Sequence, residues 1–282
     1  MIKKFKSPIN WYGGKYYMAD RIISLFPEHK IYCEVFGGAG HILFKKSPSD
    51  IEVYNDINSD LTDFFSIIRD KEKAEQLQIQ LELTPYSRTE FYNCSKNLHN
   101  KLDSDVERVR KWYTALMQSF SGSFGSWSHT KSLSRRGMPK PVSEWLRKID
   151  DNMPKAVERL QTVQIENLDY EKLINKYDSK DTLFYLDPPY IHDTRTAKRV
   201  YEYEMSNEQH RKLVDILLNI KGKAILSGYD HEIYNTLLEN GWKKVLLGEY
   251  NKSCIKAENG KKDDKGQEFV WINFDINNQL NK

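Results

Sequence analysis

Short apolar runs and helix-spaced apolar positions alternate at both ends of the chain but not in its middle. Ile31 to Phe36 is an apolar run that stops at Gly37-Gly38-Ala39-Gly40, which reads as a buried strand entering a tight turn. His41 to Lys46 then starts a helix. Ile51 to Tyr54 is a second strand, stopped by Asn55-Asp56. Asn58 can cap a helix running through Leu61, Phe64, Phe65 and Ile68. Strand, helix, strand, helix in that order is the signature of a parallel α/β sheet.

From Lys71 to Phe120 the spacing is helical and charged, with few strand signals. Ser121 to Pro141, rich in Ser, Gly and basic residues, predicts a loop or hairpin. Trp145 to Leu160 predicts a helix broken near Pro154. The α/β rhythm then returns. Val163 to Ile165 and Thr182 to Leu186 are strands, and Ser206 caps a helix through Leu218. Lys223 to Ser227 is a strand, followed by a helix from His231 to Asn240. Trp242 to Tyr250 and Glu268 to Phe274 read as a long-looped hairpin. The expected fold is a mixed α/β sheet carrying a mainly helical insertion.

Composition narrows the class only a little. With 282 residues, one α/β domain with a large insertion fits as well as two small domains. Mean hydropathy is -0.71, and no apolar run approaches the ~18 residues a spanning helix needs. Met1 to Asn10 carries lysines with no apolar segment behind them, so a secretory signal is not expected. Cys33, Cys94 and Cys254 are scattered, which fits reduced thiols in a cytoplasmic protein. The seven histidines show no metal-ligand spacing, and no metal is expected. Net charge is only +3, so its distribution matters more. Lys131, Arg135, Arg136 and Lys140 form one acid-free basic cluster, and Arg195, Lys198 and Arg199 form another. Each is a solvated face or a set of phosphate contacts.

Two turns carry candidate chemistry. A strand feeding Gly37, Gly38, Ala39 and Gly40 and then a helix can cradle a cofactor, a nicotinamide one included, because glycine lets backbone approach a ligand closely, or it is a merely structural turn. Asp56, at the end of the next strand, can accept hydrogen bonds from ribose hydroxyls. The second turn is Asp187-Pro188-Pro189-Tyr190, after the buried strand TLFYL. It lies where an α/β sheet keeps its active site, at the carboxyl end of a strand. The N6 amine of adenine is a poor nucleophile because its lone pair is delocalised into the ring. Acceptors on both N–H bonds draw that nitrogen toward tetrahedral geometry. Asp187 can supply one acceptor and the Pro188 carbonyl the other, in a turn that Pro188 and Pro189 preorganise. Tyr190 can stack on a base held outside the duplex. A methyl on a sulfonium then needs only in-line placement.

With both motifs in hand, the chain resembles the Dam-like, or D12, class of DNA adenine-N6 methyltransferases. Asn10-Trp11-Tyr12-Gly13-Gly14-Lys15 is similar to the family's aromatic-GGK motif. Glu34-Val35-Phe36-Gly37-Gly38-Ala39-Gly40 is similar to its FxGxG segment, and Tyr54-Asn55-Asp56-Ile57-Asn58 to its D-x-N segment. Asn167-Leu168-Asp169-Tyr170, Ile225-Leu226-Ser227-Gly228-Tyr229 and Glu268-Phe269-Val270-Trp271-Ile272-Asn273 resemble later family segments. Phe120 to Trp127 departs from the Arg/Asn-rich stretch of members that read GATC, and looks more like the phage and prophage members.

The resemblance implies a Rossmann-like methyltransferase fold and S-adenosylmethionine as cofactor, with S-adenosylhomocysteine as product. The implied cofactor residues are Trp11, Lys15, Glu34, Phe36, Gly37, Gly38, Ala39, Gly40, Asp56, Asn58, Asp169 and Asp187. Lys15 is equally a surface lysine, Trp11 a core residue and Asp169 a helix N-cap. Residues 1–70 and 161–282 would be the catalytic domain, and residues 71–160 the target-recognition domain. The partner would be double-stranded DNA, held by the two basic clusters, and a cognate restriction enzyme is a further possible partner. Cytosine-N4 or RNA amines are alternative acceptors. A DNA-binding protein that keeps the fold without catalysis is an alternative of another class.

Overall fold

The computed structural model describes residues 5–191, 203–251 and 265–276. From the N-terminus, α1 (Ala19–Ser24), β1 (Ile31–Glu34), α2 (His41–Lys45), β2 (Ile51–Asn55) and α3 (Ser59–Arg69) alternate. Helices α4 (Lys71–Glu82), α5 (Arg88–Lys96) and α6 (Asp105–Gln118) follow. A short hairpin, β3 (Ser134–Arg135) and β4 (Met138–Pro139), leads to α7 (Lys140–Arg147) and α8 (Met153–Leu160). Then come β5 (Val163–Glu166), α9 (Tyr170–Tyr177), β6 (Thr182–Leu186), α10 (Asn207–Leu217) and β7 (Lys223–Gly228). The order ends with α11 (Asn235–Glu239), β8 (Lys243–Asn251) and β9 (Lys265–Ile272).

These elements form two compact units. One, the sheet unit, comprises Tyr17–Phe36, Pro48–Ile57 and Leu168–Lys282. The other, the helical unit, comprises Met1–Tyr16, Gly37–Ser47 and Asn58–Asn167.

Six of the seven strands of the main sheet lie in the sheet unit, in the order β2-β1-β6-β7-β9-β8. β2, β1, β6 and β7 are mutually parallel, whereas β9 runs antiparallel to both β7 and β8. This is the mixed sheet with an antiparallel last pair that the apolar pattern implies. β6 is buried at every position, as a central parallel strand must be. Cys33, Val35, Phe184, Leu186, Ala224, Leu226 and Trp271 meet Leu173 and Ile174 of α9 and Leu213, Val214 and Leu217 of α10 in one core. Burial of each large apolar side chain contributes about 1.5–3 kcal/mol.

In the helical unit, Asn58 caps α3 by accepting from the Asp60 and Leu61 N–H groups. Asp70, Ser87 and Ser104 cap α4, α5 and α6 in the same way. The helical face expected on α3 is present, and its Phe64 stacks on Tyr113 of α6 with ring centroids 5.5 Å apart. Two details differ from expectation. The loop or hairpin expected to Pro141 ends earlier, because Pro141 enters the first turn of α7, where a missing N–H is harmless. The break expected near Pro154 is instead a π turn, Lys148–Asn152, in which the Met153 N–H reaches back to the Lys148 carbonyl. Pro154 has no N–H to give the preceding turn, so the helix widens before it and resumes with proline in its first turn. Among the described residues, no helix is long and apolar enough to cross a membrane.

Candidate active site

In the sheet unit, β1 is followed in sequence by β2 on one side and has β6 as its neighbour on the other. The connections therefore diverge between β1 and β6, which makes the carboxyl ends of these strands the place where an α/β sheet opens a crevice. The register carries one end past the other: the Val35 N–H donates to the Tyr185 carbonyl at 3.0 Å. Beyond these ends lie Phe36 on one strand and Asp187-Pro188-Pro189-Tyr190 on the other. Asp187 and Pro189 are half-buried, whereas Pro188 and Tyr190 are buried.

Tyr190 is held from two sides. Its hydroxyl donates to the buried Glu268 carboxylate of β9 at 2.5 Å, and its ring meets Tyr229 edge-on, with centroids 4.4 Å apart. Burial first, and then the nearby Asp187 charge, pushes the Tyr185, Tyr190 and Tyr234 phenols above their ordinary values. These three tyrosines stay protonated, so they bring hydroxyl donors and no anion to the surroundings of Asp187.

A single amide organises the neighbouring strand ends. Asn55, buried at the end of β2, donates to the Val35 carbonyl at 2.9 Å and to the Leu168 carbonyl at 3.0 Å. It also accepts from the Leu168 N–H at 2.8 Å. Phe36, half-buried Asp56 and Asp169 each lie one residue from a group in this staple. Asp169 accepts from the Glu171 N–H and so caps α9, and Phe36 packs its ring on Tyr170. Glu34, buried on β1, accepts from the Tyr32 hydroxyl at 2.9 Å.

The helical unit holds the glycine turn. The Gly40 N–H closes onto the Gly37 carbonyl at 2.8 Å, and Gly38 and Gly40 have left-handed φ of 49° and 65°. The segment Asn10 to Lys15 is fastened to this turn by rings set against glycines. A Cβ on Gly38 would lie 3.1 Å from the Trp11 indole, and one on Gly14 would lie 2.7 Å from the His41 imidazole. Trp11 packs on Trp112 as well, and the Lys15 ammonium donates to the Gly13 carbonyl at 2.9 Å. Burial, then Lys148, Lys15, Lys45 and Lys6, lowers the His41 pKa to about 3, so the ring is neutral.

Of the first basic cluster, Lys131, Arg135, Arg136 and Lys140 are all exposed. β3 and β4 bring Arg135, Arg136 and Lys140 onto one hairpin, and Arg136 and Gly137 both have positive φ, as a tight two-residue turn requires. Arg195, Lys198 and Arg199 lie outside the described residues.

Sequence reasoning did not single out four residues that shape these surroundings: Asn55, Glu268, Tyr229 and His41. Two left a signal. Glu268 is a carboxylate at an inward position of an alternating strand, and Asn55 is an amide ending an apolar one. The role of His41 rests on a contact with Gly14, which no periodicity reports.

The residue types suit an S-adenosylmethionine-type ligand: in the helical unit the turn glycines expose backbone, and in the sheet unit Asp56 is a half-buried carboxylate of the kind that takes ribose hydroxyls.

The chain is similar to several characterised methylases. It is 23% identical to the type II methyltransferase M.FokI of Planomicrobium okeanokoites, over 88% of this chain and 38% of that one. The type II methyltransferase M1.LlaDCHI of Lactococcus lactis subsp. cremoris is 28% identical, over 76% of this chain and 77% of that one. A DNA adenine methylase of Haemophilus influenzae is 23% identical, over 82% and 84%. The chain spans only 38%, 43% and 39% of the lengths of M.FokI and the StsI and LlaI modification methylases. The family model for D12 class N6 adenine-specific DNA methyltransferases matches residues 11–251, from the Trp11 that lies on Gly38 to the end of β8, and the chain belongs to that family.

Proposed function

We propose that this chain transfers a methyl group from S-adenosylmethionine to the N6 amine of an adenine turned out of duplex DNA. The observation that carries the reading is the Asp187-Pro188-Pro189-Tyr190 turn at the carboxyl end of β6, beside the end of β1, in a chain of this family. Asp187 accepts one N6 hydrogen and the Pro188 carbonyl the other, so the nitrogen lone pair is directed out of the ring. The proton released on alkylation leaves through the Asp187 carboxylate. Tyr190, fixed by Glu268 and Tyr229, stacks on the purine.

When bound, the cofactor supplies an electrophilic methyl on a sulfonium. Gly37, Gly38, Ala39 and Gly40 would hold it along the backbone, and Asp56 would bind its ribose. Trp11, Lys15, Glu34, Phe36, Asn58 and Asp169 are the further residues of this reading that would contact it.

Residues 1–70 and 161–282 act as the methyltransferase domain and residues 71–160 as the target-recognition domain. Lys131, Arg135, Arg136 and Lys140 contact DNA phosphates. The reading puts the protein in the cytoplasm, where its substrate is. Relatives named as modification methylases make a cognate restriction enzyme the protein partner to test for.

Incubation with methyl-labelled S-adenosylmethionine and duplex DNA, followed by nucleoside digestion, should yield N6-methyladenine. Asp187→Ala should cut turnover by about a hundred- to a thousandfold with an unchanged melting curve. Normal turnover in a folded Asp187→Ala variant would refute the mechanism.

A further inference from the structure

Residues Ser7, Pro8 and Ile9 are buried yet belong to no helix or strand. Buried irregular backbone must find hydrogen-bond partners elsewhere, and here the partners are side chains of distant helices. The Lys148 ammonium donates to both the Ser7 carbonyl and, at 2.9 Å, the Ile9 carbonyl. Asn152 donates to the Ser7 carbonyl at 3.2 Å, and the Tyr113 hydroxyl donates to the Pro8 carbonyl at 3.0 Å. Three consecutive carbonyls are thus all met by side chains, and Lys148 serves the two outer ones.

Lys148 is 3% exposed and opens the π turn, whose other end is Asn152. Among the described residues it makes no salt bridge to a carboxylate, and it donates to these carbonyls instead. Burying an ammonium against neutral acceptors is costly, and a structural lysine would ordinarily reach water instead. The segment it grips leads directly into Asn10 to Lys15. There Trp11 lies on Gly38 and Gly14 on His41. A shift of residues 7–9 is therefore passed to the glycine turn with little slack.

We infer that Lys148 is a positioning residue for cofactor binding: it clamps Ser7 to Ile9 so that the Asn10 to Lys15 segment stays docked on the glycine turn. This rests on the proposed role of that turn as the cofactor cradle. The nitrogen carries at least two hydrogens in either protonation state, so both carbonyls keep a donor when it is neutral.

The test uses the full chain. Lys148→Met keeps the aliphatic stem and removes the donors. Its dissociation constant for S-adenosylmethionine, by calorimetry, should rise about tenfold or more, the factor carried by one lost hydrogen bond to a charged donor. Turnover at saturating cofactor should stay within about twofold of wild type, since KM alone is moved when positioning for binding is lost. Amide exchange should accelerate at residues 10–15 and not in β6. Should Lys148→Met fail to fold, Asn152→Ala and Tyr113→Phe each remove one donor from the same carbonyls and should weaken cofactor binding in the same direction. A folded Lys148→Met with wild-type affinity and wild-type exchange at residues 10–15 would overturn the inference. A wild-type chain that binds no S-adenosylmethionine would instead overturn the cofactor reading, and faster exchange at residues 10–15 in the variant would still establish the clamp.

Discussion

The sheet unit and the helical unit fix their candidate residues by different means. In the sheet unit the strand ends are set by ladder register and by the Asn55 amide, which makes three hydrogen bonds at 2.8–3.0 Å. In the helical unit the glycine turn is set by rings against glycines and by two buried titratable groups, His41 and Lys148. Burial lowers the former to about 3 and the latter to about 7. A satisfied amide is indifferent to pH, whereas desolvated bases are not. The contrast predicts that the fastening of the glycine turn tracks pH and that the fastening made by Asn55 does not.

The largest effect should come from His41. Its folded pKa of about 3 lies below the unfolded value of 6.5, so between those values the unfolded chain binds a proton that the folded chain does not. The contribution is complete above about pH 6.5 and is lost as pH falls toward 3. Its full size is on the order of 5 kcal/mol. Urea titrations at pH 7 and pH 4.5 should show a large fall for wild type and a smaller one for His41→Phe. Equal falls in the two proteins would mean that the ring is not the buried base.

Asn55→Ala comes next. It strands two carbonyls and one N–H in a buried place, which should cost about 3 kcal/mol. The loss should be the same at pH 7 and pH 5, because no ionisable group is involved. A pH-dependent loss would erase the distinction between the units. Activity should fall as well, since Phe36, Asp56 and Asp169 are each adjacent to the groups that Asn55 ties together.

The same contrast explains what the sequence reveals. β1 and β6 are legible because both faces of a central parallel strand are buried and read as largely apolar runs, and because a glycine-rich or proline-rich turn ends each run. The family membership follows from those turns, and the mixed sheet from the final hairpin. The helical unit is different. Gly14 is recognisable as part of a GGK motif, but the reason it must be glycine is the His41 ring, twenty-seven positions away in sequence. Lys148 opens the π turn and its amine reaches Ser7 and Ile9, about 140 positions away in sequence. Contacts made by single side chains over long sequence separations leave no period behind. α1, too, carries no cap signal: Met18 precedes it with no side-chain hydrogen bond.

The smallest effect concerns the hairpin tip, a part of the helical unit that is neither buried nor desolvated. Arg136 is exposed and holds a φ of 56°, a conformation that costs an arginine backbone energy and costs glycine little. If its side chain contacts a DNA phosphate, that contact offsets the strain only in the complex. Arg136→Gly then separates the two properties. Stability should be unchanged or higher by up to about 1 kcal/mol, because the turn is relaxed. Affinity for duplex DNA should fall to a similar degree across sequences, and the slope of log affinity against log salt should shrink by about 1. Fluorescence anisotropy at several salt concentrations measures both quantities. A slope that does not change would remove Arg136 from the phosphate contacts, whereas a sequence-dependent loss would make it a base-reading residue.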